Sequence, residues 1–157
     1  MQSNSANLNI MTKAARKAAR SLIRDFNEVE KLQVVSKSAG DFVSKADIRA
    51  ETIIKDELLN SRPSYGWKAE ESSEIIGDDP TRRWIVDPLD GTSNFLRNIP
   101  ISCVSIALVQ GFTPILGAIF DFNNSDSYFG HKDSKAFLNN TEINVSSLKL
   151  KKESTLV

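Results

Sequence analysis

Trp84-Ile85-Val86-Asp87-Pro88-Leu89-Asp90-Gly91-Thr92-Ser93-Asn94-Phe95 joins a short apolar run to a tight turn crowded with oxygen donors. Trp84, Ile85 and Val86 favour a strand, and Pro88, which cannot continue a paired interior strand, predicts its end at Asp87. Pro88 fixes its own φ and biases Asp87 toward extended geometry, while Gly91 permits a sharp reversal. This predicts Asp87, the Leu89 carbonyl and Asp90 within reach of one point. Beyond the turn, the backbone N–H groups of Gly91, Thr92 and Ser93 open the next helix without partners, an arrangement suited to phosphate. Oxygen-only ligands favour magnesium over zinc. Asp-Pro and Asp-Gly are also ordinary turn dipeptides, and either alone implies no more than a turn.

Taken whole, the string resembles the signature of the inositol monophosphatase family of magnesium-dependent, lithium-sensitive phosphomonoesterases. The family pattern Asp-Pro-(apolar)-Asp-Gly-Thr-(Thr/Ser)-Asn-Phe is matched at every position from Asp87 to Phe95. Two upstream segments are similar to the family's as well. Glu70-Glu71-Ser72 follows the β-like run Tyr65 to Ala69, with Ala69 where glycine is common, and Lys37 to Asp47 matches Lys-x-x-x-Asp-(apolar)-Val-(Thr/Ser)-x-x-Asp. Read without the family, Glu70 and Glu71 are a solvated loop, Lys37 is a surface lysine, and Ser44 and Asp47 form a capping box at a helix start.

The resemblance implies that Glu70, Asp87, the Leu89 carbonyl and Asp90 hold two or more magnesium ions. It implies a catalytic group of Glu70, Thr92 and Asp47, with Asp47 hydrogen-bonded to Thr92. Around the substrate it implies Glu70, Leu89, Asp90, Gly91, Thr92, Ser93 and Lys37. The activity it implies is hydrolysis of a phosphate monoester, inositol monophosphate or a similar sugar or polyol phosphate, by two-metal activation of water. A homodimer is expected with it.

Composition fits this reading. A chain of 157 residues with 40% hydrophobic content has enough to bury one core, so residues 1–157 are read as one domain. The net charge is zero and no basic face stands out, so nucleic acid is not expected as the primary ligand. Cys103, the single cysteine, excludes an internal disulfide and is expected to be a buried small residue. Lys13, Arg16, Lys17 and Arg20 alternate with alanines instead of preceding an apolar block. No signal peptide or membrane span is read, and the cytoplasm is the expected location. His131, the only histidine, lacks a triad motif around it, and zinc chemistry lacks ligands.

Helical spacing of Met11, Ala14, Ala15, Ala18, Leu22 and Phe26 predicts an amphipathic helix from about Leu8 to Glu28. A second is predicted from about Lys45 to Asn60, with Ile53, Ile54 and Leu58 on its apolar face. Lys31 to Val35 reads as a short strand or extended linker between them. After the turn the period becomes two: Ile101 to Val109, Thr113 to Phe120 and Ser127 to Gly130 are predicted strands, and Phe137 to Ile143 a tight hairpin. Ser72 to Arg83 reads as the most loop-like internal stretch. The fold class is therefore α+β, two helices packed on a largely antiparallel sheet. The resemblance makes this the N-terminal half of a layered α/β/α/β/α sugar-phosphatase fold.

In the family a C-terminal α/β half follows, carrying a Trp-Asp-x-Ala-Ala/Pro-Gly segment whose aspartate completes the second metal site. No such segment occurs here. The chain is thus expected to be a fragment or a truncated gene product, with activity incomplete. The alternatives are a non-catalytic binding or regulatory module, since some family members act by docking on transcription complexes, and a related phosphatase for fructose bisphosphate, nucleotide 3′-phosphate or histidinol phosphate. Arg97-Asn98, where His-Gly is frequent, departs from the pattern.

Overall fold

The computed structural model describes residues 6–32 and 39–147. Two long helices, α1 (Ala6–Leu32) and α2 (Ala39–Ser61), precede a sheet of seven strands in chain order. The strands are β1 (Tyr65–Ala69), β2 (Asp79–Asp90), β3 (Cys103–Gln110), β4 (Thr113–Asp121), β5 (Asp126–His131), β6 (Ala136–Leu138) and β7 (Thr141–Ile143). A short helix, α3 (Thr92–Leu96), lies between β2 and β3. β1 and β2 run parallel and every later pair is antiparallel.

Small residues set the helix packing. Ala14, Ala15, Ala18 and Ala19 of α1 and Ala46 and Ala50 of α2 are buried, so the two backbones approach closely, with Met11, Leu22, Ile54 and Leu58 filling the space between them and the sheet. Alternation within the strands supplies the other wall: Trp84 and Val86, Val104, Ile106 and Leu108, and Leu116 and Ala118 are buried beneath the helices. Phe95 pins α3 to this core, its ring edge-on to Phe26 at 5.2 Å and to Phe122 at 6.3 Å.

Four boundaries differ from the sequence reading. α1 runs on through Lys31 and Leu32, where a strand or linker was expected; Gln33 to Val35 lie outside the described residues, as does Lys37. α2 begins at least as early as Ala39, so Ser44 and Asp47 sit inside the helix and form no capping box at its start. Part of the stretch read as loop, Asp79 to Arg83, already belongs to β2. Most consequential, β2 does not stop at Pro88 but continues to Asp90.

Candidate active site

Pro88 passes through the strand because the ladder shifts there. Asp87 pairs with Ser105 and Asp90 with Cys103, so three steps on β2 oppose two on β3. That extra residue is a β-bulge, the one place in a paired strand where a residue lacking an N–H costs no ladder bond. In a regular strand, residues three apart point to opposite faces. Here Asp87 and Asp90 face partners two apart, and so both carboxylates lie on one face of the sheet. β1 brings up a third. Ala69 pairs with Val86 in the parallel ladder, which puts Glu70 level with Asp87 at adjoining strand ends.

Gly91 then turns the chain. Its φ of +89° is left-handed, and a Cβ would stand 2.7 Å from the Ile101 carbonyl oxygen. Thr92 and Ser93 follow as the first residues of α3, where their N–H groups have no partner within the helix. The Thr92 hydroxyl donates to the Leu89 carbonyl at 2.9 Å. The bond from Thr92 to Asp47 that the resemblance implies is therefore absent here, the hydroxyl hydrogen going to the carbonyl three residues back. Asp47 Oδ1 is buried without a hydrogen-bond partner among the described residues.

Behind the strand ends, α2 contributes Asp47 and, one turn on, Glu51, both buried. The Glu71 N–H donates to Glu51 Oε2 at 2.8 Å, fastening the loop after β1 to α2. Burial, followed by the negative charges of Glu71, Asp87, Glu70 and Glu51, pushes the Asp47 carboxyl up to about 7. Burial also raises Asp87, reinforced by Asp90 and Glu70 and opposed by the Leu89 N–H, which donates to Asp87 Oδ1 at 3.2 Å. Among the described residues no lysine or arginine forms an ion pair with Asp47, Glu70, Asp87 or Asp90.

Cys103 is half-buried, not enclosed as the sequence suggested. It occupies the face that Asp90 occupies, and its thiol lies 3.8 Å from Asp90 Oδ2. Burial and the charges of Asp90 and Asp87 push that thiol up to about 11, which keeps it a neutral donor. Beside it a cleft of about 370 Å³ opens between Asp90, Gly91, Ser102, Cys103, Asp121 and Tyr128. The Asp121 carboxylate is engaged by the N–H groups of Asn123 and Asn124, so it serves the β4–β5 turn.

The donor set is one that a hard divalent cation suits: crowded carboxylates, a strand-end carbonyl, no nitrogen, and a buried carboxylate oxygen left unpartnered. Among the described residues no three His, Cys, Asp or Glu side chains are grouped tightly enough to enclose an ion alone. Magnesium keeps several waters and needs only one or two carboxylates.

The sequence and the fold are similar to those of known proteins. The model of the inositol monophosphatase family matches residues 4–157. The chain belongs to that family. An inositol-1-monophosphatase of Rhizobium meliloti is 46% identical over 145 residues, covering 92% of the chain and 54% of the relative. A Nus factor SuhB of Xylella fastidiosa is 41% identical, covering 90% and 51%. The crystal structure of the extragenic suppressor protein suhB from Bartonella henselae superposes with a TM-score of 0.82 at 44% identity, covering 92% of this chain and 56% of that one. The chain spans about half the length of the curated relatives it matches.

Within this inositol monophosphatase fold, one residue was not read from the sequence and one departure that was read gains its reason. Glu51 was missed although its spacing of four from Asp47 places both on one helix face. The Asn98 departure has a backbone reason: its φ is +56°, a left-handed position that asparagine tolerates better than most residues and that glycine also fills.

Proposed function

We propose that the protein hydrolyses a phosphate monoester, inositol monophosphate or a similar polyol phosphate, with magnesium as cofactor. The bulge that turns Asp87 and Asp90 onto one sheet face, level with Glu70, carries this reading. Glu70, Asp87, the Leu89 carbonyl and Asp90 would hold the ions. These supply Lewis acidity toward water and the phosphoryl oxygens near neutral pH. Glu70 orients the attacking water and accepts from it. Thr92, its hydrogen already donated to Leu89, has lone pairs free to accept from the same water. As water oxygen bonds to phosphorus, the bond from phosphorus to the ester oxygen breaks, that oxygen takes a proton from solvent water and leaves as the alcohol, and no bond to the protein forms. The N–H groups of Gly91, Thr92 and Ser93 point the phosphate toward the bulge, and family resemblance alone assigns Lys37 to it as well. The aspartate assigned by family resemblance to the second ion is not among these 157 residues.

The test is magnesium-dependent phosphate release from inositol monophosphate by the protein extended to the family's full length. Asp90→Asn should lower turnover by about 10²-fold or more with the fold unchanged, in the range seen for loss of a charge-stabilising group. Near-normal release from that variant at limiting magnesium refutes the assignment. Relatives named Nus factor SuhB favour a second reading, a binding module within a larger assembly. Full-length protein that binds magnesium yet releases no phosphate from any polyol phosphate would support it.

A further inference from the structure

The helix-facing side of the sheet is not fully covered. α1 lies over β3 and β4, and beyond it, against β5 and the β6–β7 turn, a cleft of about 720 Å³ remains. Its size is that of a small-molecule site. On the helix side it is lined by Lys13, Arg16 and Arg20, which the spacing of three and four sets along one face of α1, and on the sheet side by Ser127 and Phe129.

Ser127 is the telling residue. It pairs with Phe120, which pairs with buried Val104, so its side chain points into the helix-facing side, where the neighbouring rows are apolar. Ser127 is 8% exposed, and its hydroxyl oxygen has no hydrogen-bond partner. An unpaired hydroxyl at such a place costs stability unless something satisfies it. Two of the three charges around it are similarly unanswered. Arg16 rests over the Phe120 ring at 5.9 Å, and neither Arg16 nor Arg20 has a carboxylate partner among the described residues. Lys13 is paired with Glu57. The side chain of Asn139 is used within the turn, accepting from the Ser127 N–H at 2.9 Å and donating to Asp126 Oδ1 at 2.8 Å. The remaining polar groups are donors or neutral: Thr12, Asn9 and Asn140.

We propose that this cleft is a binding site for the phosphate group of a small organic phosphate, separate from the strand-end carboxylates. Two guanidinium groups on the helix wall and a hydroxyl on the sheet wall are donors of the kind a phosphate takes, and no carboxylate lines the cleft to repel it. Arg16 and Arg20 neutralise the anion, and Ser127, whose hydroxyl oxygen is shut off from solvent in this structure, donates to it from the floor after a turn about its Cα–Cβ bond.

Titration calorimetry with inorganic pyrophosphate as probe tests this, using the chain at low ionic strength in EDTA, so that no divalent ion holds phosphate at the carboxylates. Saturable one-to-one binding is expected. Arg16→Gln and Arg20→Gln should each weaken it roughly tenfold or more, and Ser127→Ala roughly threefold to tenfold, as expected for hydrogen bonds to a charged group. Circular dichroism confirms folding of each variant, and Arg20, which makes no ring contact, keeps the test open if Arg16→Gln unfolds. Absence of saturation in the parent chain overturns the proposal. So do affinities within twofold of the parent for all three variants, or a tenfold change on Asp90→Asn, which would put the probe at the strand ends.

Discussion

Asp47 is where the electrostatics of the site can be read through a single side chain. An aspartyl group ionises near 3.9 in an unfolded chain and here is pushed up to about 7. The folded state therefore holds the proton more tightly, so its stability from this group is complete below about pH 4 and is lost as pH rises through about 7. Asp47→Asn, which keeps the shape without the charge, should raise stability at pH 8 by about 1–2 kcal/mol, roughly 3–8 °C in Tm for a chain of this size, and change little at pH 4. Calorimetry in EDTA at the two pH values checks it, and equal effects at both would contradict the burial of an ionised carboxylate. Magnesium should stabilise the parent more at pH 8 than at pH 5.5, since ligands must be deprotonated to bind. Thr92 tests a different role. Thr92→Ala should cut phosphate release by about 10²- to 10⁴-fold while leaving the magnesium-induced rise in Tm intact; lost magnesium stabilisation with rate retained would make Thr92 a metal-site residue instead. Asp87 and Asp90 were legible as a carboxylate pair from the turn sequence itself, and Glu70 only through the family resemblance. The donation of the Thr92 hydroxyl to the Leu89 carbonyl was not legible, because which acceptor a hydroxyl takes is settled by packing, which the sequence does not hold.

At the scale of elements, the helices and most strands were legible from periodicity, and the misread boundaries share one cause. Local rules describe what a residue prefers, while pairing decides what it does. Pro88 is a strand breaker by its own chemistry, yet β3 offers partners on both sides of it, and a bulge absorbs the missing N–H. Ser44 and Asp47 have capping side chains, yet the helix had already begun at or before Ala39. The turn after β2 makes the same point for glycine. Gly91→Ala puts a Cβ 2.7 Å from the Ile101 carbonyl in a left-handed conformation, whereas Gly117→Ala meets nothing within 4 Å. The first should cost about 1–3 kcal/mol, and the second, within a strand, should be neutral or slightly stabilising. Chemical denaturation of the two variants side by side checks this; equal losses would mean that the turn yields freely and does not fix the position of Thr92 and Ser93.

For the whole molecule, the strands carry apolar side chains on both faces, and among the described residues the helices cover one. α1 and α2 bury the side bearing Trp84, Val86, Ile106 and Leu108. On the other side Ile85, Ile119 and Tyr128 remain 36%, 43% and 37% exposed around the small residues Ala107, Gly117 and Gly130. Those small residues leave an apolar groove of about 300 Å³. The face is continuous with the chemistry, since the row that holds Ile119 and Tyr128 passes through Ser105 to Asp87. Whatever covers the groove thus reaches the carboxylates. An apolar face of this kind drives association. Sedimentation of the 157-residue chain should therefore show self-association that increases with concentration, and Ile119→Lys should return it to monomer without lowering Tm, because the side chain is already half in water. If the parent chain is monomeric at all concentrations, the face tolerates water and the carboxylate site gains no wall from a second copy. If Ile119→Lys leaves the association unchanged, the contact lies elsewhere, and the strand-end site is open to solvent in the assembled form.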